Sequence, residues 1–230
     1  MPTLFIYGLN FIFGTIIGSH LLVIVQRFGQ ENFISEKSHC DSCKIPLTLL
    51  NQIPIFSFIR YKGHCFFCKA PIPIEALYCE LLGGIAFLPL NPYLDQSSYL
   101  FITFIFLISI FDYFDHSFPI SLLFPLICII VLTRAFLNYE LIEWGLIFAI
   151  ILIFLIMNLK NKFGYGDTII FVILIFYYDF YTAQYIFLLA SILLLINHIV
   201  GDKRNTYPFV PFIFLSLIFY NLRLSILLCK

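Results

Sequence analysis

A succession of long apolar runs separated by short breaks constrains the fold of this chain more than any other feature. The first run covers residues 3–26, about the ~20 residues that a helix needs to cross a bilayer. Further runs lie near 76–90, 99–113, 119–137, 141–159, 168–178, 183–200 and 207–227. Only 11% of the residues are charged, against about 25% in a soluble domain. The sequence therefore predicts an all-α polytopic membrane protein with about eight transmembrane helices.

The runs and the segment between the first two predict three domains. Residues 1–26 form a first transmembrane helix, which lacks the basic segment and cleavage site of a signal peptide and is expected to be retained. Residues 27–75 have no run of spanning length and hold six of the thirteen Lys and Arg, so they are expected to form a small extramembrane domain. Residues 76–230 form the membrane-embedded remainder.

Positive charge predicts the orientation of the helices, because cytoplasmic loops carry an excess of Lys and Arg. With the segment 27–75 inside, the other inside loops are 114–118, 160–167 and 201–207, and together they hold ten of the thirteen cations. This arrangement places the N-terminus outside the cell membrane. It also places three acidic residues at cytoplasmic helix ends: Asp112, Asp115 and Asp167.

Two pairs of cysteines lie in the segment 27–75, in the stretches "CDSC" (Cys40, Cys43) and "CFFC" (Cys65, Cys68). Two such knuckles bring four thiolates into the tetrahedron that structural zinc prefers. Two disulfides are the alternative, although a cytoplasmic segment is kept reduced. We therefore expect a cytoplasmic zinc-binding loop domain between the first two membrane helices, folded by its metal.

Charged groups inside membrane spans are costly, so each is a candidate for function. Asp112 and Asp167 lie 55 residues apart, with one outward and one returning span between them, which brings both to the same membrane face. Two close carboxylates can share a proton, so that one activates a water and the other polarises a peptide carbonyl. The alternative is structural, since Asp167 can cap a helix and both Asp112 and Asp115 can be interfacial residues.

Four motifs together resemble the type IV prepilin peptidases. "FGTIIGSHLLVIVQR" (13–27) is similar to the family's N-terminal helix, and "HCDSCKIPLTLLNQIPIFSFIRYKGHCFFCKAPIPIEALYCELLGG" (39–84) to its cysteine loop. "DYFDHSFP" (112–119) and "GYGD" (164–167) resemble the two aspartate motifs of these GxGD membrane peptidases. The motifs occur in the family's order and span most of the chain.

The resemblance implies that Asp112 and Asp167 are the catalytic pair, whereas Asp115 falls outside the matched position. It implies a membrane aspartic endopeptidase whose peptidase domain is 76–230. Such an enzyme removes the short basic leader from type IV prepilins or competence pseudopilins at the cytoplasmic face of the cell membrane. The expected partners are these substrates and membrane lipid, and no nucleic acid is expected.

Many members of the family also methylate the new N-terminus, which implies S-adenosylmethionine as a second cofactor. The resemblance assigns this activity to the N-terminal region, where Glu80, Gly83 and Gly84 follow the cysteine loop. A structural role is the alternative, with Glu80 as an intramembrane hydrogen-bonding residue and the glycines as a helix-packing surface.

Three other classes of protein share some of these features. A non-catalytic zinc-ribbon scaffold for pilus or secretion-system assembly needs the cysteines, and its aspartates only cap helices. A transporter uses intramembrane aspartates to bind cations or protons. A presenilin-type protease also carries GxGD, but it has no reason for the cysteine loop.

Overall fold

The computed structural model describes residues 2–29, 38–40, 42–91, 96–134, 139–160, 163–201 and 206–228. These residues contain nine α-helices and no β-strand, which confirms the all-α prediction. The helices are α1 (Pro2–Arg27), α2 (Phe56–Arg60), α3 (Ile74–Phe87), α4 (Gln96–Asp115), α5 (Leu123–Arg134), α6 (Leu141–Leu159), α7 (Tyr165–Tyr177), α8 (Phe180–Val200) and α9 (Val210–Leu228). Short 3₁₀ turns occur at Leu49–Asn51 and Ile120–Leu122. Apart from α2, a short helix in the cysteine segment, each helix corresponds to one predicted apolar run.

Several of these helices are suited to a membrane. Four are long and apolar enough to cross a bilayer: Phe5–Arg27 in α1, and α4, α6 and α8. In the described part of the chain the other apolar stretches are shorter: Ile120–Thr133, Tyr165–Tyr177 and Val210–Ser225. Helix α3 has 14 residues. The chain is therefore a polytopic membrane protein. Its orientation stays a prediction, and four of the ten inside cations on which it depends lie outside the described residues: Lys37, Lys162, Lys203 and Arg204.

The chain divides into two compact units. One contains Met1–Ile110 with Leu224–Lys230, and the other contains Phe111–Arg223. The cysteine segment belongs to the first unit, and both aspartate motifs belong to the second. The predicted division into 1–26, 27–75 and 76–230 stays a prediction.

In the first unit, α1 and α3 pack against each other through glycine. A Cβ atom added at Gly83 would collide with the carbonyl of Gly14, and one at Gly18 would collide with the carbonyl of Cys79. Small residues let two helix backbones approach this closely, which is the usual packing mode where no hydrophobic effect drives helices together. The glycines therefore set the spacing between α1 and α3.

The second unit is built around α7, the most buried of its helices. Ile170, Leu174 and Ile175 on this helix are fully buried, and α5, α6 and α8 all contact it. An aromatic cluster joins the helices: Phe154, Phe163, Phe171, Phe187 and Phe209. Because the Phe163 ring packs in this cluster, it holds the residue that directly precedes the "GYGD" turn and α7.

Candidate active site and metal centre

The four predicted cysteine ligands come together in the structure. The Sγ atoms of Cys40, Cys43, Cys65 and Cys68 all lie within 4.8 Å of one another. The Sγ atoms of Cys40 and Cys68 are 3.7 Å apart. This is close to the ~3.8 Å edge of a tetrahedron with 2.3 Å Zn–S bonds, and far from the ~2.05 Å of a disulfide. The donor set fits structural zinc, which would bind to these four sulfur atoms.

The two knuckles have the same backbone geometry. In the first, the Cys40 N–H donates to the Ile45 carbonyl at 3.1 Å, and the Lys44 N–H donates to the Cys40 carbonyl at 2.8 Å. The second knuckle has the same two bonds: the Cys65 N–H donates to the Ala70 carbonyl at 2.8 Å, and the Lys69 N–H donates to the Cys65 carbonyl at 3.1 Å. Lys44 and Lys69 both adopt positive φ, at 57° and 60°. The short local sequence of each knuckle therefore presents two thiols on its own.

Two of the thiols, those of Cys40 and Cys68, differ in their pKa values. The N–H of Cys43 is the main cause that lowers the pKa of Cys40 to about 7. The pKa of Cys68 is raised to about 11, because the Ala70 N–H, which lowers it, is outweighed by loss of hydration and by hydrogen bonds with the other thiols. Cys40 is thus the first of the two to ionise, and a bound divalent metal would displace the remaining protons.

Asp112 lies in the last turn of α4 and is 8% exposed. Its Oδ2 accepts the N–H of Val210, the first residue of α9, at 3.0 Å, and the N–H of Phe209 also bonds to the carboxylate. Asp115, one turn later, is exposed. The structure thus distinguishes two aspartates that spacing alone treats as similar, and it buries the one that the resemblance selects.

Asp167 is the third residue of α7, which begins two residues before it rather than after it. Its carboxylate accepts the N–H of Gly164, the N-cap residue, so Asp167 stabilises the first turn of its helix from the third helical position and not as the N-cap that the structural alternative assumed. The same carboxylate interacts electrostatically with Asp112. A Cβ atom at Gly166 would meet the ring of Phe118, from the other aspartate motif. The structure therefore brings the two motifs together.

Asn158, near the end of α6, is a residue of this site that sequence reasoning missed. It is 1% exposed. With its amide oriented to suit its neighbours, its nitrogen donates to the Phe163 carbonyl at 2.9 Å and its oxygen accepts from Thr168 Oγ1 at 3.1 Å. Asn158 thus joins both ends of the "GYGD" turn. An asparagine inside an apolar run was the available signal.

Glu80 and Gly83, two of the residues connected with methyl transfer, have structural contacts in the first unit. Glu80 is buried, and its Oε1 accepts from Ser19 Oγ at 2.9 Å while its Oε2 accepts the N–H of Ile55 at 2.6 Å. Ile55 is β-branched and has φ of 61°, a conformation that is costly for such a residue. Glu80 therefore stabilises a strained turn of the cysteine segment, and Gly83 packs against α1. These contacts support the structural alternative, and methyl transfer stays a prediction.

A comparison with protein families adds the decisive observation. Residues 12–91 match the family model described as the bacterial Peptidase A24 N-terminal domain. This part of the chain is similar to the N-terminal domain of that peptidase family. The match covers the glycine contacts between α1 and α3, both knuckles and Glu80, and it bears out the predicted type IV prepilin peptidase family. Searches of curated proteins and of solved structures found no match.

The match supports a peptidase. The matched segment ends at residue 91, before Asp112 and Asp167, so it lies wholly in the part of the chain that holds the cysteine segment. Support for a role of the aspartates therefore comes from their geometry.

Proposed function

We propose that this peptidase is an aspartic endopeptidase in which Asp112 and Asp167 form the catalytic pair. The observation that carries the proposal is the packing of the two aspartate motifs on each other inside one compact unit, with Gly166 against the Phe118 ring. An electrostatic interaction between the two carboxylates accompanies this packing. Each carboxylate is held by backbone N–H groups, which fix its orientation without occupying it fully. Two aspartates that only cap helices in a scaffold would not need to lie close to each other.

The pair hydrolyses a peptide bond by sharing one proton. The ionised carboxylate takes a proton from a water molecule, whose oxygen attacks the carbonyl carbon, while the protonated carboxyl donates to the carbonyl oxygen. Collapse of the tetrahedral intermediate breaks the C–N bond, and the leaving amine takes up a proton. The two groups titrate as a unit in such a mechanism.

The proposed substrate is a prepilin or competence pseudopilin in the cytoplasmic membrane. Its apolar helix lies in the bilayer and its short basic leader in the cytoplasm, so the scissile bond lies at the membrane surface. Asp112 and Asp167 both lie at helix ends, and the charge distribution predicts that these ends face the cytoplasm. Water is available at that depth, and a hydrolase needs it.

Co-expression with a prepilin tests the proposal. Asp112→Asn and Asp167→Asn keep the size of each side chain and remove its charge, and each should reduce leader removal by about 10²–10⁴-fold, the contribution of a general acid or base. Asp115→Asn is the matched control and should process normally, because this residue is exposed. Normal processing by either of the first two variants would remove that residue from the pair.

N-methylation of the new N-terminus remains part of the proposal through the resemblance. Mass spectrometry of the processed pilin reports the cleavage site and an added methyl group in one measurement. A cleaved but unmethylated product would limit the function to the peptidase.

A further inference from the structure

The two knuckles share a backbone but differ in the residues between their cysteines. The first has Asp41-Ser42 at these positions, and the second has Phe66-Phe67. Phe66 is 50% exposed and Phe67 41%. Because the first knuckle forms the same backbone bonds with polar residues between its cysteines, metal geometry does not require two exposed phenylalanines. Their presence points to a role outside the metal centre.

These two rings belong to a continuous surface cluster, which we call the aromatic–basic patch. The rings of Phe66 and Phe67 lie 5.2 Å apart, and those of Tyr61 and Phe66 5.3 Å apart. Lys69 Nζ lies 5.4 Å from the Phe66 ring centre. The guanidinium of Arg60 lies 5.9 Å from the Tyr61 ring and 5.8 Å from that of Phe56. The patch is thus Phe56, Arg60, Tyr61, Phe66, Phe67 and Lys69.

The charged side chains within residues 42–73 are all basic. Residues 42–73 hold four cations and no acidic residue: Lys44, Arg60, Lys62 and Lys69. Even with Asp41 and the two negative charges of a zinc–tetrathiolate centre, the segment 38–73 remains net positive. A basic prepilin leader is therefore a poor partner for this surface, whereas an anionic one is attracted to it.

The patch is also close in sequence to α3, the helix that follows the cysteine segment. Lys69 precedes the first residue of α3, Ile74, by five positions. Ile74 and Tyr78, on the first turns of α3, are 52% and 56% exposed. Exposed apolar side chains on a helix of a membrane protein are suited to contact with lipid. The chain therefore passes from the patch to a helix with such side chains within a few residues.

We propose that the aromatic–basic patch docks on the anionic lipid surface of the bilayer. Phe66 and Phe67 lie at the boundary between headgroups and acyl chains, where aromatic rings are favoured. Arg60 and Lys69 bind lipid phosphates while their alkyl stems cover the rings. The second knuckle then has two roles, since its cysteines bind the metal and its tip binds lipid. This docking does not depend on peptidase activity.

A single-tryptophan reporter tests the proposal in the full-length protein. Trp144 is the only tryptophan, so Trp144→Phe supplies the background. Phe67→Trp is compared with Ser42→Trp, because both positions directly precede the second cysteine of a knuckle. The proteins are reconstituted in phosphatidylcholine vesicles with and without phosphatidylglycerol, using lipids with brominated acyl chains as quenchers.

We expect emission from Phe67→Trp to shift to shorter wavelength and to be quenched by the brominated lipid, more strongly in the anionic vesicles. Ser42→Trp should show neither effect. Adding Arg60→Gln or Lys69→Gln to the reporter should lower the ratio of docked to undocked patch about fivefold per cation in anionic vesicles. Neutral vesicles should show no such loss.

Equal quenching at positions 67 and 42, or no quenching at position 67, overturns the proposal. So does a spectral shift at position 67 that requires an added soluble leader peptide, since this assigns the patch to the substrate. A metal content of one per chain confirms that each reporter folds. Phe66→Trp serves as the second reporter if Phe67→Trp loses its metal.

Discussion

The cysteine centre and the aspartate pair are assembled in opposite ways. Each cysteine knuckle is closed by backbone bonds between residues at most five positions apart, from Cys40 to Ile45 and from Cys65 to Ala70. The aspartates come from helices 55 residues apart, and Asp112 is held by a backbone N–H 98 residues further along the chain. The metal centre is therefore largely a local structure, whereas the aspartate pair exists only when several helices are packed.

The two regions also differ in exposure. Of the four cysteines Cys68 is exposed, Cys40 and Cys43 are half-buried and Cys65 is buried. In the other region Asp167 is half-buried, Asp112 is buried and Asn158 is 1% exposed. A substitution in the cysteine centre should thus act on metal binding and leave the helices intact. A substitution around the aspartates should act on the geometry of the pair and leave the metal in place.

The largest effect is expected for metal binding. Cys40→Ser with Cys43→Ser should abolish it, because a structural zinc site in this type of knuckle contributes on the order of 10 kcal/mol. Metal analysis of the purified protein should fall from one per chain to none. Asp112→Asn is the control and should retain one metal. Metal retained in the cysteine variant would contradict the four-cysteine site, and metal lost in Asp112→Asn would show that the two regions are not independent.

The second largest effect is expected on the cleavage rate, from a substitution beside the aspartate pair. Asn158→Leu removes the bonds to the Phe163 carbonyl and Thr168 hydroxyl, so the "GYGD" turn loses its fixed position. A misplacement of this kind costs up to about 10²-fold in rate, and we expect prepilin cleavage to slow about 10–100-fold with an unchanged KM. The readout is the time course of leader removal in proteoliposomes.

Ser191→Ala is the matched control for Asn158→Leu, because the Ser191 hydroxyl donates to the Phe187 carbonyl of its own helix at 2.9 Å. It should cleave at the normal rate. An Asn158→Leu enzyme with a normal kcat would show that the turn needs no support from α6.

A smaller effect is expected where α1 and α3 touch. Gly83→Ala would drive a methyl group into the Gly14 carbonyl, and overpacking of this kind costs about 1–3 kcal/mol. Thermal unfolding in detergent should show a lower midpoint. Gly8→Ala is the control, because a Cβ atom there meets nothing within 4 Å. Equal midpoints for the two variants would mean that α1 and α3 are not in contact.

The smallest effect concerns Glu80. Glu80→Gln keeps one acceptor oxygen for the Ile55 N–H, and its amide nitrogen can donate to the Ser19 hydroxyl. The Ile55 N–H then bonds to a neutral amide oxygen in place of a carboxyl oxygen, at a cost of about 1 kcal/mol. Hydrogen exchange of the Ile55 amide should become faster while leader cleavage and methylation are unchanged. Methylation lost without faster exchange would favour a cofactor role for Glu80 over the structural one.

Much of this protein was readable from the sequence, in particular its local features. The eight apolar runs became eight helices, and the two CxxC stretches became two knuckles with converging thiols. The start of α7 was placed too late, because Tyr165 and Gly166 carry no helical signal. Asn158 was missed because a single polar residue in an apolar run has no visible partner until the helices are packed.

By itself, the sequence determined the helical membrane architecture and the metal ligand set. Both follow from interactions between residues near one another in the chain: the length of an apolar run, and the spacing of two thiols around a tight turn. Only the tertiary structure decided that Asp112 rather than Asp115 is buried and interacts with Asp167. It also decided that Glu80 holds the turn at Ile55, and that Gly83 lies against α1. These outcomes depend on which helices pack together, and the contacts that select them join residues up to 98 positions apart.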